Sequence, residues 1–414
     1  MKILYIAQYF NTPKMKGATR HFEIAHYLLE AGHEVYLVAS NKDTRLGFKA
    51  RWKYEIEYGL HVYRYPVPFA NKMNYLKKIV CFIIFGIQSA LKARSIQCDV
   101  ILATSTPLTI AVPAIAAMVR QKAPMVFEVR DLWPELPVAI GAIKNPVLIK
   151  MAQWLERQAY FHATRIIALS PGMKDGVVKT GYAEEKIEII SNMSQCRRFD
   201  VDSSSGAEFR KQYGIPEDAV LILYAGTLGE INGVSYIVEL ACEMRKFDSS
   251  IIFFVLGEGR DEGLIKRNAI AAGVAEKNLF IRPRIEKEQI PYAFNAATLT
   301  CSFFINLREM WSNSANKFFD SLAAGRPIIL NYRGWQAEII DKHDAGIVIP
   351  NNDADSATQK IWNKIKQPNW LDQAGKKARR VAVEQFDRDT LVKKVEHTLI
   401  KARQEGMATE KLIV

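Results

Sequence analysis

The feature that most constrains the fold of this chain is a regular alternation of short apolar runs with helix-length amphipathic segments. The first repeat reads KILYIAQYF, a turn-rich loop, RHFEIAHYLLEAG and then EVYLVAS. Continuous apolar runs rich in β-branched residues are typical of strands buried on both faces, and the segments between them have helical periodicity. The pattern therefore predicts a doubly wound α/β fold with parallel sheets.

The alternation ends near residue 192 and then begins again. In the first half, further strands are predicted at DVILATS, APMVFEV and RIIALS. The polar, serine-rich segment 195–209 is typical of a linker. In the second half, strands are predicted at AVLILYAG, IIFFVLGEG, NLFIRP, ATLTCSFF, RPIILN and AGIVIP. We therefore predict Rossmann-like domains over 1–198 and 199–387, facing each other across a cleft, and a C-terminal helix in 388–414 that packs back on the first domain.

Length and cysteine content limit the class of protein. A chain of 414 residues is too long for one ordinary core. Its five cysteines are scattered and form no CxxC pair, so neither a disulfide framework nor a zinc site is expected. The N-terminus lacks the pattern of a signal peptide, and the longest apolar run, Ile79 to Ile87, is too short to span a bilayer. These features predict a cytoplasmic protein.

The net charge of +12 predicts an anionic partner, which could be nucleic acid, acidic lipid or a phosphorylated substrate. No Asp or Glu occurs from Gly59 to Cys98, and basic residues there flank the run IVCFIIFGI. We expect 71–95 to contact an anionic membrane surface at the inner face of the cytoplasmic membrane. The alternative is that the run is only the buried face of a helix. No nucleic-acid partner is expected, because the basic cluster flanks aliphatic rather than aromatic residues.

Several nucleotide and metal motifs are missing. The chain has no GxGxxG fingerprint, no GxxxxGK[ST] loop, no HExxH, no GxSxG elbow and no EF-hand spacing. Dinucleotide cofactors, metal-dependent hydrolysis and acyl transfer are therefore not favoured, and neither a metal nor a cofactor is expected. In open parallel sheets, ligands bind beyond the carboxyl ends of the strands. The site should therefore lie in the loops at those ends.

The most informative segment is SNSANKFFDSLAAGRPIIL, residues 312–330. A loop of Ser and Asn leads into a helix that begins near Asn316 and carries Lys317 and Asp320. Amide groups at a helix start, together with a lysine ammonium, favour an anionic diphosphate. Asp320 could accept hydrogen bonds from ribose hydroxyls. The alternative is an ordinary capped helix with Asp320 on its solvated face.

This segment, together with YAGTLGEINGV, FVLGEGR and TPKMKGATRHFEIAHYLLEAGHEV, resembles the retaining glycosyltransferases of family 4, which have the GT-B fold. The chain looks most similar to a subgroup with VRDLWPE, here 129–135, and NKxFD, here 316–320. That subgroup includes fucosamine-type transferases, which extend a lipid-linked sugar during bacterial surface-polysaccharide assembly, as in O-antigen or capsule. The resemblance covers nearly the whole chain.

The resemblance also implies site residues in the second domain. The family usually has two glutamates, where this chain has Ser312 and, eight positions later, Asp320. Whether Glu309 replaces the missing first glutamate stays open. Where the family offers an Arg and a Lys to the diphosphate, this chain has Thr227 and Asn232, while Gly226 and Gly229 allow close backbone approach. Cations must then come from elsewhere. The candidates are Lys317, Arg282 and Arg284.

In the first domain, Arg130 and Asp131 stand where the family commonly has a His-Asp pair. If they are catalytic, Arg130 would stabilise the leaving phosphate, and Asp131 would orient the acceptor or the reacting sugar. A structural salt bridge between the two is the alternative. Four further residues are expected to contact the cleft or the acceptor. They are Gly17, Arg20, Trp133 and Glu135.

The resemblance implies metal-independent, retaining transfer of a sugar, an N-acetylated deoxy-hexosamine, from a UDP-sugar donor. The implied acceptor is a polyprenyl-diphosphate-linked saccharide. One alternative is a non-hydrolysing UDP-sugar 2-epimerase of the same architecture, which would form product with no acceptor present. A non-enzymatic nucleotide- or nucleic-acid-binding protein is the second alternative, and it would bind with a steep salt dependence.

Overall fold

The computed structural model describes residues 1–15, 17–41, 51–67, 73, 75–202 and 204–413. These residues form two compact units, one made of Met1–Ser191 with Leu391–Val414 and the other of Asn192–Thr390. The first unit ends before the predicted boundary at 198/199. Within the described ranges, no helix has both the length and the apolar character needed to cross a bilayer.

The first unit contains an eight-stranded sheet in the order β3-β4-β2-β1-β5-β6-β7-β8. Its strands are β1 Lys2–Ile6, β2 Glu34–Asn41, β3 Lys53–Glu57, β4 Leu60–Pro66, β5 Val100–Thr104, β6 Met125–Val129, β7 Arg165–Ala168 and β8 Ile187–Ile189. Its helices are α1 Arg20–Glu30, α2 Tyr75–Ala93, α3 Ala111–Gln121, α4 Glu135–Ala139, α5 Pro146–His162 and α6 Pro171–Lys179. The predicted Rossmann-like architecture is confirmed for this unit.

The hairpin of β3 and β4 was not predicted, and β3 is antiparallel to β4 while the other described pairings in this sheet are parallel. The sequence KYEIE of β3 alternates charged with apolar residues because β3 lies at the sheet edge, where Tyr54 and Ile56 remain exposed. Such a strand lacks the continuous apolar run that marks a buried one. The turn is formed by Tyr58 and Gly59, both with positive φ.

The second unit contains a six-stranded parallel sheet in the order β11-β10-β9-β12-β13-β14. Its strands are β9 Leu221–Ala225, β10 Ile252–Leu256, β11 Leu279–Arg282, β12 Leu299–Ser302, β13 Ile328–Leu330 and β14 Gly346–Val348. Its helices are α7 Ser204–Tyr213, α8 Tyr236–Phe247, α9 Glu262–Ala271, α10 Ile290–Ala296, α11 Asn316–Ala323, α12 Trp335–His343, α13 Ala354–Ile365 and α14 Trp370–Val381. All six strands lie where the sequence predicts them. The strand order reverses between β9 and β12, where ligands bind in sheets of this kind.

The serine-rich segment 195–209 is not an extended linker. Asp202 accepts a hydrogen bond from the amide of Ser204 at 2.9 Å, next to the start of α7. Phe209 is buried, and a Cβ at Gly206 would lie 2.4 Å from the side chain of Asn295 on α10. The prediction failed because Ser and Asp mark helix starts as well as loops.

The last helix, α15, runs over Arg388–Ile413, and from Leu391 it belongs to the first unit. Val395 and Leu399 on this helix are fully buried. Glu396 lies 2.9 Å from the Nε2 atom of His33, which follows α1. The helix therefore adds an apolar face to the core of the first unit.

A buried ion pair joins α1 to β6 in the first unit. The Arg20 guanidinium contacts Glu128 at 2.7 Å, and their side chains are only 4% and 2% exposed. Arg20 also donates to the carbonyls of Ile190 and Ser191, and Thr104 donates to the second Glu128 oxygen at 2.6 Å. Burial alone raises the pKa of Glu128, but the neighbouring cations, Arg20 first, outweigh it and lower that pKa to about 2.

We expect Arg20→Met to lower the free energy of unfolding by about 3–5 kcal/mol, because it leaves the Glu128 carboxylate buried without its partner. Urea unfolding followed by circular dichroism measures the change. The exposed Arg120→Met on α3 is the control and should stay within about 0.5 kcal/mol of the parent. An unchanged unfolding midpoint for Arg20→Met would contradict a structural role for the pair. Because the folded pKa of Glu128 lies below its ordinary value, the contribution is present above about pH 4.5 and lost as the pH falls toward 2.

Candidate functional site

Two glycine-containing loops pack backbone against backbone at the carboxyl ends of β9 and β10. The amide of Gly226 donates to the carbonyl of Leu256, and the amide of Leu228 donates to that of Glu258. A Cβ at Gly257 would lie 2.1 Å from the Gly226 carbonyl oxygen. No side chain fits there, so the GEG sequence serves loop packing in this unit rather than dinucleotide binding.

Lys317 lies in the first turn of α11, against the loop that follows β9. Its Nζ atom is 3.3 Å from the Asn232 side-chain oxygen and 5.1 Å from the centroid of the Tyr224 ring. A Cβ at Gly226 would lie 3.3 Å from that Nζ atom, so the glycine makes room for the ammonium. The structure thus brings together three predicted site residues from distant parts of the sequence. They are Gly226, Asn232 and Lys317.

The charge of Lys317 is not paired with a carboxylate in the described part of the chain. Burial lowers its pKa to about 8, and interactions with Cys301 and Asp320 oppose this shift only partly. The start of α11 at Ala315 also has no side-chain cap. An ammonium and uncapped amide groups at one place form a site suited to an anion such as a phosphate.

Asp320 lies one helical turn after Lys317 and is held from one side. Its Oδ1 atom accepts a hydrogen bond from the Ser194 hydroxyl at 2.8 Å. Burial raises the pKa of this carboxyl, while Ser194, Arg198 and Lys317 lower it. Among the described residues, none donates a hydrogen bond to Oδ2. Asp320 is therefore not on a merely solvated helix face.

The remaining second-unit candidates lie in two loops. Thr227 is exposed, and its carbonyl accepts a hydrogen bond from the Tyr224 hydroxyl at 2.9 Å. Ser312 is partly exposed at the end of a helical turn, and Glu309 in that turn is exposed. The Trp335 indole donates to the carbonyl of Asn313 at 2.9 Å, which fixes the loop before α11. Asn316, the first residue of α11, is exposed.

Arg282, predicted to supply a cation to a diphosphate, pairs with a carboxylate in this structure, and its proposed role stays a prediction. Its guanidinium makes two contacts with Glu276, at 2.7 and 2.8 Å, and lies over the ring of Phe280. Glu276 precedes β11, so the side chain of Arg282 reaches back along the strand. Arg284 follows β11 and is partly exposed. Sequence position at a strand end did not reveal this competing carboxylate.

In the first unit, Arg130 and Asp131 follow β6 and are held by different partners. The Arg130 guanidinium contacts the Nε2 atom of His21 at 2.7 Å, and Asp131 accepts from the Thr106 hydroxyl at 2.7 Å. Burial lowers the pKa of Arg130 and raises that of Asp131. In the described ranges no ion pair joins Arg130 to Asp131, so the structure does not support the alternative of a structural salt bridge between them.

His21 was missed by the sequence analysis. Its Nδ1 atom lies 2.8 Å from the Tyr5 hydroxyl, while its Nε2 atom faces Arg130. Because a guanidinium can only donate, Nε2 must accept, and the proton of a neutral ring is then on Nδ1. Its position beside Arg20 at the start of α1 was the available sequence signal. That position does not identify Arg130, 109 residues away, as its partner.

The structure separates the other first-unit candidates by role. Arg20 is a buried structural residue paired with Glu128, which corrects its prediction as a substrate ligand. Gly17 has a φ of 119°, and a Cβ there would lie 2.7 Å from the side-chain amide nitrogen of Asn11. Its loop conformation therefore requires glycine. Trp133 is partly exposed, and Glu135 at the start of α4 is exposed.

A cavity of about 670 Å³ opens at the opposite, amino ends of the second-unit strands. It contains Arg210, whose guanidinium donates to the carbonyls of Ala296, Pro216 and Ala219. These contacts serve the fold, and the cavity lies at the sheet edge opposite Lys317. The described ranges also contain no cluster of residues suited to hold a metal ion.

Two family models match the chain in succession. Residues 17–193 match the glycosyl transferase 4-like domain, and residues 206–381 match glycosyl transferases group 1. The two matches correspond to the two α/β units. Because both models describe transferases, the epimerase alternative is not favoured.

Curated relatives are distant. The chain is 23% identical to a putative colanic acid biosynthesis glycosyl transferase, WcaI of Escherichia coli, over 68% of this chain and 71% of the relative. It is 22% identical to the alpha-D-kanosaminyltransferase of Streptomyces kanamyceticus, over 48% of this chain and 50% of the relative.

Solved structures share the fold over almost the whole chain. HepE of Anabaena in complex with UDP-glucose has a TM-score of 0.71 at 16% identity, covering 97% of this chain and all of that one. WaaG, a glycosyltransferase of lipopolysaccharide biosynthesis, has a TM-score of 0.69 at 16% identity, covering 96% and 99%. The first half of the chain therefore belongs to the glycosyl transferase 4-like domains and the second half to the group 1 glycosyl transferases, and the fold is shared with solved transferases such as WaaG.

Proposed function

We propose that this transferase moves an N-acetylated deoxy-hexosamine from a UDP-sugar to a polyprenyl-diphosphate-linked saccharide in bacterial surface-polysaccharide assembly. Transfer proceeds with retention and without a metal or another cofactor. A similar curated protein is named for colanic acid biosynthesis, and similar structures contain UDP or UDP-glucose. These names support a nucleotide-sugar donor and a polysaccharide product.

The observation that carries the proposal is the ammonium of Lys317 at the uncapped start of α11. A partly buried cation without a carboxylate partner loses solvation, and a diphosphate would compensate for that loss. The Gly226 backbone beside it lets a ligand approach closely. The donor diphosphate would therefore lie against α11, near Asn232 and Thr227.

Asp320 completes the donor site in this proposal. Ser194 uses one of its oxygens, and the other would accept a hydrogen bond from a ribose hydroxyl. The neighbouring turn with Ser312 and Glu309 would contact the sugar. Because Ser312 carries no charge, it would contact the sugar through its hydroxyl group.

The reacting groups of the first unit are Arg130 and Asp131 in this proposal. In the reaction, an acceptor hydroxyl oxygen bonds to the anomeric carbon as its bond to the diphosphate breaks. The hydroxyl proton passes to the leaving diphosphate on the same face of the sugar. Arg130, held by His21, would stabilise the phosphate charge, and Asp131 would orient the acceptor hydroxyl.

The lipid-linked acceptor draws support from α2. One face of this helix is buried through Cys81 and Phe85, whereas Ile83 and Ile87 on another face are about half exposed. The two predictions for the apolar run, contact with a membrane and burial in the core, therefore apply to different faces of α2. An exposed aliphatic face next to lysines suits the headgroup region at the inner face of the cytoplasmic membrane. Of the expected contact segment 71–95, residues 71, 72 and 74 lie outside the described residues.

We expect Lys317→Ala to weaken UDP-sugar binding about 10-fold to 100-fold, because it removes a charge-assisted contact to the diphosphate. Isothermal titration with a panel of UDP-sugars and UDP measures the change. Lys266→Ala, a surface lysine of the same unit paired with Glu262, is the matched control and should bind as the parent does. Equal affinity of Lys317→Ala and the parent would refute the site.

The pH dependence of donor binding gives a separate prediction. Lys317 has a pKa of about 8 in the free protein, and a bound diphosphate would raise it. Binding therefore uses the protonated form and is lost as the pH rises through 8, so Kd should increase about tenfold between pH 7 and pH 9. The Lys317→Ala variant should show little of this rise in the same titrations. Parallel pH profiles for the two proteins would contradict the assignment.

A further inference from the structure

The helix α5 exposes an unusual amount of apolar surface. Val147, Met151, Trp154 and Phe161 are 63%, 60%, 62% and 80% exposed. Their spacing places them on one side of the helix, while Tyr160 on another side is buried and packs its ring against Phe127 of β6. Folding of the first unit therefore uses one face of α5 and leaves an aromatic face in solvent.

This face continues across two neighbouring helices. The helix α3 packs against both α2 and α5. Right-handed crossovers between parallel strands place these three helices on the same side of the sheet. Their exposed apolar residues therefore belong to one surface, and a continuous exposed apolar surface is typical of an interaction site. Besides α5, it includes Val80, Ile83, Ile87 and Leu91 of α2 and Val119 of α3.

The charges on this surface are almost all positive. Lys150 and Arg157 lie on the exposed side of α5, between its apolar residues. The helices α2 and α3 contain no Asp or Glu. In α5 the one carboxyl, Glu156, is partly buried, and burial raises its pKa to about 7. Other exposed cations are Lys77 on α2, Arg94 directly after α2, and Arg120 on α3.

We propose that the exposed faces of α2, α3 and α5 form one docking surface for an anionic lipid bilayer, with α5 as its aromatic anchor. Trp and Phe side chains enter the region between headgroups and acyl chains, and lysines and arginines beside them contact lipid phosphates. This inference deepens the proposed function, since it rests on a lipid-linked acceptor and assigns the surface that would bring the enzyme to it.

The pattern of charge argues against self-association through the same face. In a two-fold symmetric dimer, each cation of the patch meets the same patch of the partner. Lys150 and Arg157 would then face cations across an apolar interface, and no carboxylate of α2 or α3 could pair with them. Lipid phosphates supply the missing negative charge.

The test is co-sedimentation of the full chain with vesicles. The parent should bind vesicles of phosphatidylglycerol and phosphatidylcholine at least about tenfold more tightly than vesicles of phosphatidylcholine alone. The double variant Met151→Glu, Trp154→Glu should lose at least about tenfold in binding to the anionic vesicles. Ile270→Glu, which alters an exposed isoleucine of α9 in the second unit, is the matched control and should bind as the parent does. The milder pair Trp154→Ser, Phe161→Ser repeats the test if the glutamate variant does not fold.

Parent protein that fails to bind anionic vesicles would overturn the inference, as would α5 variants that bind like the parent. A dimer of the parent that Trp154→Glu dissociates, with vesicle binding unchanged, would assign the face to self-association instead and would also overturn it. The UDP-sugar titrations distinguish failure of this inference from failure of the proposed function. UDP-sugar affinity should be unchanged in the α5 variants. If Lys317→Ala bound UDP-sugars as tightly as the parent, only the donor site would be refuted.

Discussion

Parallel pairing of β9 with β10 and β12 is the constraint on which the candidate donor site depends. Parallel strands end at the same edge of their sheet, and the order of strands reverses beside β9. The loop after β9 and the start of α11 are therefore brought to one place, although Gly226 and Lys317 are far apart in sequence. Close backbone contact between the Gly226 and Gly257 loops then fixes the position of the glycine beside the lysine.

The two units treat buried charge differently. In the first unit, Arg20 and Glu128 satisfy each other and their neighbours, and this network holds α1 against β6. In the second unit, Lys317 has an amide oxygen and an aromatic ring as partners in the described ranges, but no carboxylate. The first arrangement stabilises the fold, whereas the second leaves a partly buried positive charge that the proposed diphosphate would pair. The partners of each cation distinguish these two arrangements.

The same separation of roles applies to apolar surface. Helices that cover a parallel sheet need only one apolar face for the core. The helices α2 and α5 carry apolar residues on a second face, and positive charge surrounds them. The core does not require this second set. Folding of the first unit does not account for these exposed apolar residues, whereas binding to an anionic bilayer would.

The sequence by itself determined the alternation of strands and helices, the six strands of the second unit, and the placement of Lys317 and Asp320 at the start of α11. Those features are local, because strand and helix periodicity and helix starts are encoded by neighbouring residues. Tertiary structure alone decided that Arg20 is buried against Glu128, that Arg282 is held by Glu276, and that His21 supports Arg130. It also decided which face of α5 stays in solvent. Most of these outcomes depend on partners brought together from distant segments, and a side chain's partner and burial are set by the packed sheet rather than by its sequence neighbours.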